Sequence, residues 1–214
     1  VKAALKEQGV EARSFGGHLM FEPWTVETKT GGYYKVYTPF WRAVKDRGVE
    51  APLHAPKTLP APDSWPASDD LADWQMGAAM RRGAAVLRPF VQLGEQAAQS
   101  RLAAFLADRM ADYGTNRDLP SVDGTSNLSE NLALGEISPH QCWHAGQRAL
   151  HEGKAGAEIF LKELVWREFA YHLMHHTPHI LTRNWREEWE GFGWNDDGFK
   201  TPALKALTNY GDSV

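Results

Sequence analysis

The chain has 214 residues, 43% of them hydrophobic and 23% charged, which are ordinary proportions for a globular protein. Its net charge of −4 argues against a uniformly basic nucleic-acid binder, although a local basic groove remains compatible with it. The single cysteine, Cys142, excludes an internal disulfide and a thiolate metal cluster, and indicates a reducing compartment. No apolar run is long enough to span a bilayer, so we expect a cytoplasmic protein without a membrane partner.

The first fifty residues mix strand and helix signals. Residues 12–22 and 33–37 read as extended, strand-like segments beside glycine-rich turns. Thr38 and Pro39 then predict a helix start, with the threonine as N-cap and the proline at the first helical position. Residues 50–68 are rich in proline, which is the composition of a linker. This part of the chain is therefore predicted to be an α/β remnant followed by a linker.

The pattern becomes helical from residue 94 onward. Residues 94–113 carry an apolar stripe at helical spacing, made of Leu102, Phe105, Leu106 and Met110. Ser138 predicts another helix start, because Gln141 three residues later completes a capping box. Residues 158–176 form the third predicted helix, with Leu161, Val165, Phe169 and Leu173 on the side that faces a core.

A second face of this third helix carries polar and aromatic groups: Glu163, Trp166, Arg167 and Ala170. A carboxylate, an indole and a guanidinium presented together suit a flat, polar, charged ligand, because they accept hydrogen bonds, stack and bind phosphate. The alternative is an ordinary ion pair between Glu163 and Arg167, four residues apart, beside a partly buried tryptophan.

The segment Gly124–Glu130 (GTSNLSE) is a second candidate site. Small hydroxyl residues after a glycine, at the start of a helix, expose backbone N–H groups that can bind a phosphate. The alternative is a simple helix cap, with Asn127 as N-cap and Glu130 as the third helical residue.

Four histidines cluster near the end of the third helix: His172, His175, His176 and His179. His172 and His176 are spaced like a zinc-binding pair, but no third ligand stands at a typical spacing. We therefore expect no metal site, and assign these residues to packing, surface polarity and DNA contact. The motifs of P-loop nucleotide hydrolases, serine hydrolases and dinucleotide dehydrogenases do not occur in the sequence.

Several segments in order resemble the photolyase/cryptochrome family, and in particular class I photolyases that repair cyclobutane pyrimidine dimers (CPDs). They are YKVYTPFW at 34–41, YGTNRDLP at 113–120, GTSNLS at 124–129, LGEISP at 134–139, ELVWREF at 163–169, HHTPH at 175–179 and FGWND at 192–196. The resemblance implies a mainly α fold: the first half of a helical FAD-binding domain, preceded by a remnant of the family's Rossmann-like α/β domain. Its implied boundaries are 1–50 for the remnant, 51–93 for a linker and 94–214 for the helical domain.

The resemblance also implies an activity. Such enzymes accept DNA with a flipped-out pyrimidine dimer and split it with an electron from light-excited, reduced FAD. A second antenna chromophore, of folate or deazaflavin type, is compatible with the family. The same fold also serves cryptochrome-like photoreceptors without repair activity, which is the alternative function. Glu163 and Trp166 favour repair, because reading the dimer needs a carboxylate and an indole.

Site roles follow from the resemblance residue by residue. The implied FAD contacts are Tyr113, Thr125, Ser126, Asn127, Leu128, Ser129, Phe160 and Arg167. The implied catalytic residues are Glu163 at the dimer bases, Trp166 stacked on the lesion and Trp194 in the chain of tryptophans that photoreduces the flavin. The implied DNA contacts are Arg117, Glu163, Trp166, Arg167 and Ala170.

The sequence also departs from the family pattern. Asn127 stands where many relatives carry arginine, and Phe160 where many carry tryptophan. The motifs end near residue 198, so residues 199–214 are unmatched by them, and we expect a central fragment that lacks both ends of the family's chain. Half a flavin pocket offers too few contacts to offset the ordering cost of binding, so we expect the isolated chain to be inactive and to self-associate through exposed apolar surface.

Overall fold

The computed structural model describes residues 1–193, in which α-helices are the main secondary structure. The α-helices are α1 (Lys2–Glu7), α2 (Tyr37–Val44), α3 (Arg82–Leu87), α4 (Glu95–Ala104), α5 (Tyr113–Asn116), α6 (Ser129–Ala133), α7 (Pro139–His151) and α8 (Ala157–His176). No β-strand occurs within residues 1–193. The expected mainly α class is therefore confirmed. The chain divides into two compact units, Val1–His172 and the residues from Leu173 onward.

The strand predictions for residues 12–22 and 33–37 are wrong. The backbone there bonds to side chains of α8 instead of to another strand. The N–H groups of Met20 and Phe21 donate to the Glu168 carboxylate at 2.8 and 3.0 Å, and the Tyr34 N–H donates to His172 Nε2 at 3.1 Å. These polar groups are therefore satisfied without a strand partner, and the two segments form no sheet.

Two helix boundaries also differ from the prediction. Helix α2 begins at Tyr37 with Val36 as N-cap, so Thr38 does not cap it and Pro39 lies inside the first turn, where its missing N–H costs no helical hydrogen bond. The helix predicted over 94–113 continues from α4 into a π-helical turn at Phe105–Arg109. There the Met110 N–H bonds to the Phe105 carbonyl five residues back, and both side chains remain buried.

Helix α8 is the centre of the first unit. Leu161, Val165 and Phe169 are buried as predicted, whereas Leu173 is only half-buried. Helix α7 approaches α8 closely at Gly146, where an added Cβ would lie 2.8 Å from a methyl carbon of Leu161. Phe160 of α8 also packs against Phe105 after α4, and Phe169 packs against Phe40 of α2.

The capping box at the start of α7 is confirmed. Ser138 Oγ accepts from the Gln141 N–H at 3.1 Å, and the Gln141 side chain accepts from the Ser138 N–H at 2.9 Å. The sequence signature therefore fixes this helix start as expected.

The segment predicted as a linker has little regular structure. Residues 51–70 contain no helix, and the short helix α3 and three 3₁₀ turns (Leu71–Trp74, Ala78–Met80 and Arg88–Phe90) follow. Large apolar side chains are exposed along it, among them Leu53, Trp65, Trp74 and Phe90. Within residues 1–193 every helix is too short or too polar to cross a membrane.

The second unit begins with the last turn of α8. Two 3₁₀ turns, Pro178–Leu181 and Glu187–Trp189, follow in its described part. The Asn184 N–H donates to Glu190 at 2.8 Å, and Trp189 contacts Phe192. Trp194 lies outside the described residues.

Candidate functional site

The carboxylate of Glu163 lies at the surface of α8 and is bound by an arginine from another helix. Arg117, directly after α5, donates a hydrogen bond from Nη1 to Glu163 Oε1. This bond is the main cause of a raised Arg117 pKa. Both side chains are only partly exposed, at 27% and 34%. The ordinary ion pair of Glu163 with Arg167 is therefore not formed, since each residue has another partner.

Arg117 also connects this carboxylate to Tyr113. Its guanidinium lies over the Tyr113 ring at 5.6 Å and within 3.4 Å of Asp118. Tyr113 is buried against Phe105 and Phe160, and burial raises the pKa of its hydroxyl. The structure thus brings together four residues predicted for the flavin or the DNA: Tyr113, Arg117, Phe160 and Glu163.

The indole of Trp166 is stacked on an aromatic ring of α2. Tyr37 lies parallel to it, with ring centroids 3.7 Å apart and an angle of 7° between the planes. The residue remains 45% exposed, and Ala170 one turn later is exposed beside it. One face of the indole is therefore covered, and the side chain still reaches the surface.

Arg167 binds the segment that precedes α2. Its guanidinium donates to the His18 carbonyl at 2.9 Å, to the His18 ring at 2.9 Å and to Glu168 Oε1 at 3.1 Å, and it lies over the Tyr171 ring. Burial and the adjacent arginine lower the pKa of His18, which keeps the ring neutral and able to accept. In this geometry Arg167 binds the segment around His18 to α8. The contact of Arg167 with the flavin stays a prediction.

Glu168 is a buried carboxyl group that no sequence motif revealed. Its side chain has no exposed surface, and Oε2 accepts from two backbone N–H groups, those of Met20 and Phe21. Burial raises the pKa of this carboxyl to about 7, against the opposing effects of the hydrogen bonds and Arg167. The sequence signal that could have identified Glu168 is its position on α8, next to Phe169 on the buried side and one turn before His172. A carboxyl group at a buried position requires hydrogen-bond partners.

The histidine cluster does not assemble a metal site in the described part of the chain. His172 is buried on α8 and accepts from the Tyr34 N–H, so this histidine packs rather than ligates. His175 and His176 contact each other edge to face at 4.8 Å. No group of three or more potential ligands suited to a metal ion occurs within residues 1–193.

The loop Gly124–Ser129 is tied to α5 and turns sharply at Asn127. An added Cβ on Gly124 would lie 2.7 Å from the Asn116 carbonyl oxygen, so only glycine allows this approach. Asn127 has a positive φ of 53°, its Oδ1 accepts from Thr125 and its Nδ2 donates to Asp123, each at 2.9 Å. Helix α6 begins at Ser129 after Leu128, and no side chain caps it. The alternative of a simple Asn127 cap is therefore wrong.

A cavity of about 810 Å³ opens beside this loop. Asn127 and Ser129 line it together with the guanidinium groups of Arg101 and Arg109. Each arginine forms an ion pair with a carboxylate of the same cavity lining, Arg101 with Glu130 at 2.7 Å and Arg109 with Asp123 at 2.6 Å. The lining thus combines amide, hydroxyl and guanidinium donors with the carboxylates of Asp123 and Glu130, which now hold both guanidinium groups and the Asn127 amide. An anionic group would bind here by taking these donors from the two carboxylates. Ser126 is half-buried and Leu128 is buried in the same loop.

Two sequence models of one family match the chain. The model of DNA photolyase matches residues 1–63, and that of the FAD binding domain of DNA photolyase matches residues 160–211. A deoxyribodipyrimidine photo-lyase from Agrobacterium fabrum is 40% identical to it over 98% of this chain. The chain belongs to the DNA photolyase family. The similarity continues to residue 211, beyond residue 198 where the recognisable motifs end.

Other members of the family agree in sequence and in structure. A deoxyribodipyrimidine photo-lyase from a Synechococcus strain is 31% identical over 98% of this chain. The crystal structure of a bacterial class III photolyase from Agrobacterium tumefaciens superposes with a TM-score of 0.86 at 39% identity, over 96% of this chain and 42% of its own. That relative is of class III, whereas the motifs favoured class I, so the class of this chain stays a prediction.

The chain spans less than half the length of these relatives, 44% of the Agrobacterium enzyme and 45% of the Synechococcus one. Residues 160–211 belong to the FAD-binding domain, and residues 1–63 to the photolyase domain that precedes it in the family. The exact domain boundaries at 50 and 93 stay predictions.

Proposed function

We propose that the full-length protein containing this chain repairs cyclobutane pyrimidine dimers in DNA under blue light. The observation that carries the proposal is the pairing of two groups on one exposed face of α8, a carboxylate at Glu163 and an indole at Trp166. They stand three residues apart, so they lie within one helical turn of each other.

These two side chains have the chemistry that dimer recognition requires. The Glu163 side chain accepts hydrogen bonds from base N–H groups, and Arg117 holds one of its oxygens and leaves the other to accept. The free face of Trp166 stacks on a flipped-out base, an interaction worth about 1–3 kcal/mol per base. Arg117 and Ala170 border this face and are the proposed neighbours of the DNA backbone.

FAD is the proposed cofactor. Its reduced form supplies the electron on illumination. The proposed diphosphate contacts are Thr125, Ser126, Asn127, Leu128 and Ser129. Tyr113 and Phe160 are the proposed aromatic wall, and Arg167 is the proposed further contact. The proposal is supported by the sharp turn at Asn127 and by the hydroxyl, amide and guanidinium donors beside it. Trp194 is proposed as the outermost tryptophan of the photoreduction chain.

A light-dependent assay tests this function. The full-length protein is incubated with duplex DNA carrying one thymine dimer, in the dark and under blue light. We expect dimer loss only under light and only with flavin bound. Flavin photoreduction without dimer loss would instead support the cryptochrome-like photoreceptor, which lacks repair.

A further inference from the structure

Tyr37 covers one of the two faces of the indole that we propose as the lesion-stacking surface. The ring centroids are 3.7 Å apart and the rings are nearly parallel, so the phenol stacks directly on the indole. A planar base can therefore approach Trp166 only from the opposite side.

Two further contacts hold the Tyr37 ring in this place. Its hydroxyl donates to the Lys162 carbonyl at 2.8 Å, one helical turn before Trp166. Phe169 packs edge to face against Tyr37 at 5.9 Å and against Trp166 at 5.8 Å. Burial, with a smaller effect of Glu163, raises the pKa of the Tyr37 hydroxyl above its ordinary range, so the phenol stays protonated and can donate.

We infer that Tyr37 is a positioning residue for lesion recognition: it fixes the plane of the Trp166 indole and leaves one face to the damaged base. The inference rests on the proposed repair function. Without the backing ring, the indole of an exposed residue gains rotamer freedom, and this freedom is lost again when a base stacks on it. This entropy loss therefore weakens the binding of damaged DNA and leaves the binding of undamaged DNA unchanged.

The experiment is a double-mutant cycle in the full-length protein. The affinity for a duplex with one thymine dimer and for the undamaged duplex is measured for wild type, Tyr37→Leu, Trp166→Ala and the double variant. We expect Tyr37→Leu to weaken dimer binding about three- to tenfold, the range for an aromatic pair, with undamaged binding unchanged. In the Trp166→Ala background the same change has no effect.

Two further variants separate positioning from general packing. Tyr37→Phe keeps the ring and loses only the hydroxyl, so it restores most of the dimer affinity. Tyr34→Leu removes a tyrosine that contacts Phe40 and not Trp166, and it leaves dimer affinity unchanged. The near-ultraviolet circular dichroism of the stacked pair disappears in Tyr37→Leu and persists in Tyr37→Phe.

The outcomes distinguish the two hypotheses. If Trp166→Ala weakens dimer binding and Tyr37→Leu does not, the positioning role is wrong and the repair proposal stands. If Tyr37→Leu weakens dimer binding equally in both backgrounds, the effect is general destabilisation and the positioning role is again wrong. If Trp166→Ala itself leaves dimer binding unchanged, the assignment of Trp166 in the proposed function fails.

Discussion

Arg117 and Glu163 form a hydrogen-bonded ion pair that joins the end of α5 to the exposed face of α8. The pair gives Arg117 a structural partner at the position where the family resemblance implies a contact to the DNA backbone. These two roles have different consequences for binding, and they can be separated by measurement.

Replacing Arg117 with methionine tests which role dominates. If the arginine mainly holds Glu163, affinity for dimer-containing DNA falls about tenfold while undamaged DNA binds as before, because only the dimer needs the carboxylate in place. Loss of a phosphate contact would weaken both duplexes and reduce the salt slope of log Kd by about 1. Titrations at several salt concentrations distinguish them, and we expect the loss of affinity to be larger for the dimer-containing duplex than for the undamaged one. Stability changes by less than about 1 kcal/mol, since the pair is partly exposed.

The carboxyl of Glu168 makes folding depend on pH. Its pKa of about 7 in the folded chain lies above the ordinary value of 4.5, so the folded chain binds this proton more tightly than the unfolded chain. The contribution is present at low pH and is lost as pH rises through 7. We compare the unfolding free energies of wild type and Glu168→Gln. The difference, wild type minus variant, therefore decreases as the pH is raised from about 4.5 to 7. Denaturant titrations across this range check it, and a constant difference would contradict the assignment.

The backbone at Asn127 predicts an order among three residues at this position. Alanine loses the side-chain hydrogen bonds to Thr125 and Asp123 and must also adopt a left-handed conformation, which costs about 1–2 kcal/mol. Glycine loses the same bonds without that cost. We expect stability to fall from asparagine to glycine to alanine, measured by chemical denaturation. An alanine variant as stable as the glycine variant would show that the turn relaxes.

Gly124 is the point at which the same loop touches α5. A Cβ there meets the backbone oxygen of Asn116, which cannot move away as a flexible side chain can. Gly124→Ala is therefore expected to destabilise the protein by about 1–3 kcal/mol and to weaken flavin binding by the full-length protein. Gly48→Ala is the matched control, because nothing lies within 4 Å of its added Cβ. Equal stability of the two variants would contradict the close approach.

The sequence predicted the helical part of the fold well where local signals were complete. The capping box of Ser138 and Gln141 places the start of α7, and the periodic apolar residues identify the buried side of α8. The strands failed because residues 12–22 and 33–37 satisfy their backbone through Glu168 and His172, more than 130 positions away in sequence. No local pattern contains such a contact.

The site shows the same division between local and distant information. The polar face of α8 follows from helical spacing, and the unusual turn of the 124–129 loop is consistent with its small polar residues. The residues that contact this face cannot be predicted from helical spacing. Arg117 binds Glu163 from 46 positions away in sequence, and Tyr37 lies 129 positions before Trp166. An i, i+4 ion pair of Glu163 with Arg167 was the local alternative, and tertiary contacts override it.

The central claim is that the α8 face of Glu163 and Trp166 carries dimer repair. The most direct measurement compares light-driven loss of a single thymine dimer by the full-length, flavin-loaded protein with that by its Glu163→Ala, Trp166→Ala double variant. Flavin absorbance confirms equal loading in both. We predict that the double variant loses at least about 30-fold in repair at sub-saturating DNA, since two contacts of about 1–3 kcal/mol each are removed. Repair at the wild-type rate by the double variant would contradict the claim.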